Sequence, residues 1–496
     1  MKQHDTSSNQ VPHRRLVLAA CMLAMFMAAI EVTIVATAMP TIIGELGGFS
    51  LLGWVFAVYL LTQAISVPIY GRLADLYGCR RMFFIGTLIF LLGSVLCGVA
   101  PSMLWLILFR ALQGLGGGAI MPIASTIIAH IYSPVERSKV QGYLSSVWGI
   151  SAIVGPLLGA FIVQHFSWAL VFWINVPIGI VAMLMLGRYL PAAEKGHPHQ
   201  LDLAGTGWLT LSVSALLLAL LQAEALGVAM LPLLAVALAA GVMLVRRERR
   251  APEPLFPLAL WQSRVIVAGN IGGLIMGAVL MGISAFLPTF VQGVLGGTPL
   301  EAGTTLALVS IGWPLASTLS GRLMLATSYR VTALCGALLL IAGSLILLLV
   351  APGQTLWWAR LAAFTVGAGM GLSNTTYLVS VQNAAEANIR GIATASTMFS
   401  RLIGSALGTA ILGATLNLNL QQRLPGVNDP VQQLMDGAQR TALGSDRLQW
   451  LTEQVAVSLH WVFVAAAVMA VLTLVSVWLM PGRQRPVEPE AEGSRP

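Results

Sequence analysis

Long apolar runs separated by short polar segments repeat along the whole chain. A helix needs about 20 apolar residues to cross the hydrocarbon core of a bilayer. Runs of that order fall near 16–39, 51–70, 83–100, 103–130, 138–164, 168–190, 203–225, 228–245, 266–291, 302–321, 332–350, 355–380, 391–415 and 458–480. The pattern predicts an all-α integral membrane protein of fourteen transmembrane helices. The longest remaining segment, 416–457, is polar with an amphipathic flavour and has room for a short helix.

Composition supports this. Hydrophobic residues make up 57% of the 496 residues and charged residues 9%, against roughly 25% charged in soluble domains. A soluble fold of this size has too few charges to cover its surface. The net charge of +8 does not indicate nucleic acid, because the basic residues sit in short clusters between apolar runs. With the N-terminus inside, 21 of the 27 Lys and Arg fall on the cytoplasmic side, including Arg80–Arg81, Arg137–Lys139, Arg246–Arg250, Arg330 and Arg390. Arg423, Arg440 and Arg447 fall outside, and Arg110, Arg360 and Arg401 lie within spans. That bias places both termini in the cytoplasm. The start, 1–15, has no cleavable signal pattern, and the first apolar run is long enough to be a retained span. Cys21, Cys79, Cys97 and Cys335 are not spaced for metal or redox chemistry. No metal and no cofactor are expected.

A repeat of about 250 residues runs through the sequence. Gly71-Arg72-Leu73 recurs as Gly321-Arg322-Leu323, Arg110 as Arg360 and Glu136 as Glu386; Gly155 and Gly159 recur as Gly404 and Gly408. The first six-helix half covers 16–190 and the second 266–480. An offset of eight spans preserves direction, so the pseudo-symmetry is parallel, about an axis along the membrane normal. Residues 191–265 supply cytoplasmic linkers and an inserted two-helix hairpin, and 481–496 form a cytoplasmic tail. Facing six-helix halves are an alternating-access architecture, with substrate between them near the midplane.

The loop after the second span reads Gly71-Arg72-Leu73-Ala74-Asp75-Leu76-Tyr77-Gly78-Cys79-Arg80-Arg81. Its glycines permit a tight turn, and Asp75 can accept from a neighbouring helix N-terminus or from an arginine. The loop resembles the signature of the major facilitator superfamily, where it acts as a conformational latch; a plain topology anchor is the simpler reading. Gly142, Ser151, Gly155, Pro156 and Gly159 in the fifth span are small or kink-permitting positions. They resemble the antiporter motif of drug-exporting facilitators, with Ser151 and Ala160 where glycine is usual. Leu106 to Ala119, LILFRALQGLGGGA, is similar to the family's fourth-span motif, whose arginine is linked to proton transfer and corresponds to Arg110. Ile30 to Pro40 resembles the opening motif of fourteen-span drug:proton antiporters, with Glu31 in place of the usual aspartate. Asp202-Leu203-Ala204-Gly205, Arg390-Gly391 and Arg401 fit the same subfamily.

Glu31 is the only carboxylate well inside a span; Glu224 and Glu301 fall at outer helix ends. Burial of an ionised carboxylate is costly and favours the neutral acid, which suits a proton carrier. Glu31 lies nine residues before Pro40 and Arg110 nine residues after Pro101. At 1.5 Å per residue both stand roughly 13 Å below the outer surface, at a depth where they can share one cavity. Arg401 has no acidic partner within the second half and either pairs with carbonyls or faces the cavity. Trp54, Tyr59, Gln63, Trp148 and Asn175 are candidate cavity residues, each with packing as its simpler role.

The resemblance implies proton-coupled export of small amphipathic compounds, often cations, by a multi-pass protein of a bacterial inner membrane working as a monomer. A dedicated exporter of one metabolite or antibiotic, and a non-transporting sensor of the same fold, stay open. An enzyme is not supported. The seven histidines are scattered, His197 and His199 among them, and no nucleophile–base pair stands out. A GxxxxGK[ST] phosphate loop is also absent, which argues against ATP-driven transport.

Overall fold

The computed structural model describes residues 13–46, 52–191, 202–221, 227–251, 254, 258–386, 389–427, 430–435, 440 and 443–482. The N-terminal tail up to residue 12, the linker holding His197 and His199, Glu224 and the tail from residue 483 lie outside the described residues. In lipid a backbone must satisfy its own polar groups, so apolar segments become helices. In chain order these are α1 (Arg14–Leu46), α2 (Leu52–Tyr77), α3 (Cys79–Gly98), α4 (Met103–Ile131), α5 (Pro134–His165), α6 (Leu170–Trp173), α7 (Asn175–Tyr189), α8 (Leu203–Leu221), α9 (Met230–Glu248), α10 (Arg264–Thr289), α11 (Pro299–Ala326), α12 (Tyr329–Leu349), α13 (Leu356–Ala384), α14 (Arg390–Arg423), α15 (Pro430–Met435) and α16 (Ser445–Leu479).

Each segment read as apolar contains a described helix. Among the described residues, eleven helices are long and apolar enough to cross a membrane. α5, α8 and α13 are not among the eleven, α13 because it carries a polar stretch. Buried Ser373, Thr375, Thr376, Ser380 and Gln382 occupy the far half of α13. Polar side chains sealed against neighbours lower mean hydropathy without exposing the helix to water.

Two local differences from the hydropathy reading have clear causes. The sixth segment is broken at Ile174 into α6 and α7. Pro177 has no amide hydrogen to give to the carbonyl of Trp173, so the ladder is interrupted there. The stretch 416–457 is also shorter as a loop than expected. α14 continues to Arg423, just before Pro425, and α16 begins at Ser445. Leu424, Leu434 and Leu451 are buried in the same core as Phe290 and Val294. The Arg440 guanidinium donates to the carbonyls of Gln292 at 3.0 Å and Leu434 at 3.2 Å. An amphipathic face that docks on protein averages out in a hydropathy window.

The chain divides into two compact units, one of 1–133, 154–200 and 387–392, the other of 134–153, 201–386 and 393–496. In the first, α3 and α2 pack on α4 and α1 packs on α7; in the second, α12 and α11 pack on α13 and α10 packs on α16. The 250-residue repeat reappears in these seams. A Cβ added to Gly86 would meet Ala119, and one added to Gly336 would meet the Gly369 carbonyl, both 250 residues on. The hairpin of α8 and α9 belongs to the second unit. Asp202 accepts from the Gly205 amide at 3.1 Å and from Arg247 Nε at 3.0 and 3.2 Å, closing the hairpin at its charged end.

Helix approach in lipid depends on small residues, and this sets an expected outcome. A Cβ on Gly404 would strike the backbone of Leu274, whereas one on Gly413 meets nothing. Gly404→Val should therefore destabilise by at least the ~1–3 kcal/mol typical of overpacking, read as a lower melting temperature in detergent. Gly413→Val should melt with the parent protein.

Candidate functional site

Glu31 is sealed inside the first unit, with no solvent exposure. Four helices supply its surroundings. Arg110 Nη1 on α4 donates to Glu31 Oε1 at 2.5 Å and to Gln113 Oε1 at 2.7 Å. Asn175 Nδ2, at the start of α7, donates to Glu31 Oε2 at 2.5 Å. Gln113 Nε2 donates to Ser94 Oγ of α3 at 2.7 Å. Arg110 Nε also reaches the Val55 carbonyl of α2 at 3.3 Å, and its guanidinium lies 4.1 Å from the centroid of the Tyr59 ring. The Cys97 thiol closes the side beyond Gln113, its Sγ 3.9 Å from Gln113 Oε1. Glu31, Arg110, Gln113, Asn175, Ser94, Tyr59 and Cys97 are all buried.

The equal depths of Glu31 and Arg110 therefore correspond to direct contact. Each carboxylate oxygen accepts one N–H, a pattern that fits the ionised form. Arg110 holds three further contacts that do not involve Glu31, so the arginine stays anchored if the carboxylate changes state. Gln113 and Ser94 were not singled out from sequence. Gln113 was readable, because it stands three residues after Arg110 and so shares its helix face. Ser94 and Cys97 had no such signal; only the packing of α3 on α4 brings them in.

The stretch read as a loop is mostly helical, with Gly71, Arg72 and Asp75 in the last turns of α2, Arg80 and Arg81 opening α3 and only Gly78 between them, and it forms a second centre. Asp75 Oδ1 accepts from the Gly391 amide at 2.7 Å and Oδ2 from the Ile392 amide at 2.8 Å. These are the first amides of α14, where unpaired donors and the helix dipole favour an anion. Of the two partners open to Asp75 from sequence, the helix N-terminus is the one it takes. The fit needs glycine at 391, since a Cβ there would collide with Asp75 Oδ1 and the Gly71 carbonyl. Gly78 turns the chain into α3 with φ of 86°, a value that favours glycine. Arg80 Nη1 donates to the Leu190 carbonyl at 2.9 Å, tying the loop to the end of α7. Arg72 is buried, and Arg81 lines an apolar groove with Tyr77 and Ile85.

On α5, Gly142 and Gly149 lie against Thr318 and Ser310 of α11, while Gly155 and Gly159 lie against Thr33 and Thr37 of α1. Thr33 and Thr37 turn their hydroxyls back to the Ile30 and Ile34 carbonyls, at 3.0 and 2.9 Å. Ser151 is buried and donates to the Val147 carbonyl at 2.8 Å. The side chain of Pro156 lies outside the described residues.

Of the five cavity candidates, Tyr59 and Asn175 belong to the buried Glu31 centre. Gln63 is half-buried over Gly117, Trp54 packs half-buried on the core around Ile30 and Ile34, and Trp148 is exposed. Arg401 is half-buried in the second unit.

The family model of the Major Facilitator Superfamily matches residues 21–409. The chain is 31% identical over 496 residues to multidrug resistance protein 3 of Bacillus subtilis (strain 168), covering 96% of this chain and 97% of that protein. It is 35% identical over 413 residues to the multidrug transporter protein MdtP of the same organism, covering 82% and 75% respectively. Among solved structures, the proton:xylose symporter XylE aligns with a TM-score of 0.62 at 14% identity, over 94% of this chain and 95% of that one. At that identity the likeness shows the fold alone.

Proposed function

Because the chain belongs to the Major Facilitator Superfamily and is similar along its length to multidrug transporters, we propose that it is a fourteen-span antiporter that exports amphipathic compounds in exchange for protons by alternating access. The observation that carries this reading is the buried Glu31–Arg110 pair with Asn175 on its second oxygen. Adding a proton to Glu31 removes its charge and puts a donor on one of the two oxygens that now accept from Arg110 and Asn175, which weakens the contact there. Arg110 then keeps Gln113, the Val55 carbonyl and the Tyr59 ring. The centre thus has two arrangements, selected by one proton. A two-state element biased by a ligand is what couples two gradients, and the coupling is reciprocal.

Asp75 supplies a second bistable contact. It grips the first turn of α14. Release of this grip would free α14 to move during the transport cycle. The carrier works as a monomer in a bacterial inner membrane, with both termini in the cytoplasm. A panel of amphipathic dyes tests the function directly. Efflux that stops when the proton gradient is collapsed supports it; efflux indifferent to the gradient, or none, refutes it. Orientation is tested at Cys79, half-buried beside Asp75, Arg80 and His130. A membrane-impermeant thiol reagent should label it only from the cytoplasmic side, and labelling of intact cells from outside would reverse the topology.

A further inference from the structure

α14 is the most amphipathic of the long helices. Thr394, Thr397, Arg401, Ser405 and Thr409 recur at intervals of three and four residues and share one face. The hydroxyls on this face are satisfied locally: Thr397 donates to the Ala393 carbonyl at 3.4 Å, Ser405 to the Arg401 carbonyl at 3.1 Å, and Thr409 to the Ser405 carbonyl at 2.9 Å. Arg401 is the exception. Among the described residues its guanidinium has no hydrogen-bond, ion-pair or ring partner, and its nitrogens are not among the sealed unpaired atoms. The side chain is therefore half-buried and unpaired.

Its position is fixed and deep. The Arg401 backbone is pressed against α10, where a Cβ on Gly277 would collide with the Arg401 carbonyl. Arg401 stands eleven residues beyond Arg390, the start of α14, or about 16 Å along the helix. In a hydrocarbon core about 30 Å thick that is near the midplane, too far from either surface for the side chain to snorkel. A cation at that depth faces water or a ligand, not lipid. The described carboxylates of the second unit give it no counter-charge. Glu136, Asp202, Glu248, Glu301, Glu386 and Asp446 lie at or near helix ends, and Glu453, two turns into α16, is exposed and accepts from Gln449. In the first unit Glu31 is neutralised by its own Arg110. Among the described residues, the uncompensated charge at mid-membrane depth is therefore positive.

We infer that Arg401 binds an acidic group of the transported compound, so that the substrates include amphipathic acids and zwitterions. The guanidinium fork matches a carboxylate or sulfonate with two parallel N–H···O bonds. This shifts the expectation, drawn from a lone intramembrane carboxylate, that cations are the main cargo. The inference rests on the efflux reading above.

The test uses the whole protein in proteoliposomes with an imposed pH gradient, and compares efflux of a fluorescent naphthalene sulfonate with efflux of ethidium. The parent protein should export both. Arg401→Gln should lower the sulfonate-to-ethidium ratio roughly tenfold or more, the scale of one lost charge-assisted hydrogen bond, and Arg401→Lys should recover part of it. A structural arginine would lower stability when removed. An unpaired one held for binding should not, so Arg401→Gln should melt at or above the parent temperature. A parent protein that carries ethidium but not the sulfonate overturns the inference and leaves the efflux reading standing, as does an unchanged ratio in Arg401→Gln. A parent that carries neither overturns the efflux reading and this inference with it.

Discussion

Glu31→Gln should fold, reach the membrane and lose gradient-driven efflux. The glutamine keeps nearly the volume of glutamate and can still accept from Asn175 through its carbonyl, but it cannot exchange a proton. Its amide also faces Arg110 with a donor where Glu31 presents an acceptor at 2.5 Å. Coupling between two ligands is typically about 1–3 kcal/mol, or roughly 5- to 150-fold, and a loss in that range is expected in uphill efflux. Downhill exchange of substrate should survive better than uphill transport, because only the link to the proton is removed. Glu31→Asp should keep part of the activity, its shorter reach weakening the contact to Arg110. Removing one partner of a buried pair by truncation is more damaging, about 3–5 kcal/mol. Arg110→Ala should accordingly reach the membrane poorly, and Glu31→Gln combined with Arg110→Gln should recover folding without recovering coupling. Uphill efflux by Glu31→Gln at the parent rate would remove Glu31 as the coupling site.

Gly391→Ala should slow turnover with little effect on substrate binding. Its methyl group would occupy the space where Asp75 Oδ1 meets the Gly391 amide and would press on the Gly71 carbonyl. Both hydrogen bonds that Asp75 accepts from α14 should be lost together. An anionic group at a helix N-terminus contributes about 0.3–1 kcal/mol when exposed and up to ~2 kcal/mol when partly buried. The corresponding shift in a conformational equilibrium is roughly 2- to 30-fold. Asp75→Asn should give a smaller shift of the same sign, since asparagine can still accept one of the two amides. Parent turnover in both variants would leave this contact a topology anchor and no more.

The fold was legible because lipid leaves a segment of 20 apolar residues so few options. The spacing of Glu31 and Arg110 from Pro40 and Pro101 could be converted to depth because helical rise is constant, and the two side chains do meet. What could not be read was tertiary. Ser94 and Cys97 look like ordinary small residues of α3 until that helix is packed on α4. Asn175 was marked as a cavity residue, yet the break at Ile174 turns it inward to Glu31. The early start of α16 was hidden because its first residues are polar on one face and packed on the other. Asp75 had two plausible partners in sequence, and only the placement of Gly391 and Ile392 decides between them.

The central claim is exchange of substrate for protons, and the most direct measurement follows both ions and cargo in one vesicle. Purified protein is reconstituted with a pH-sensitive dye inside, with no initial pH gradient, and a substrate gradient is then imposed. Substrate leaving should bring protons in and acidify the lumen, at a rate that saturates with substrate and vanishes in Glu31→Gln. A lumen that stays at constant pH while substrate moves, or that turns alkaline because protons leave with the substrate, would contradict proton-coupled antiport.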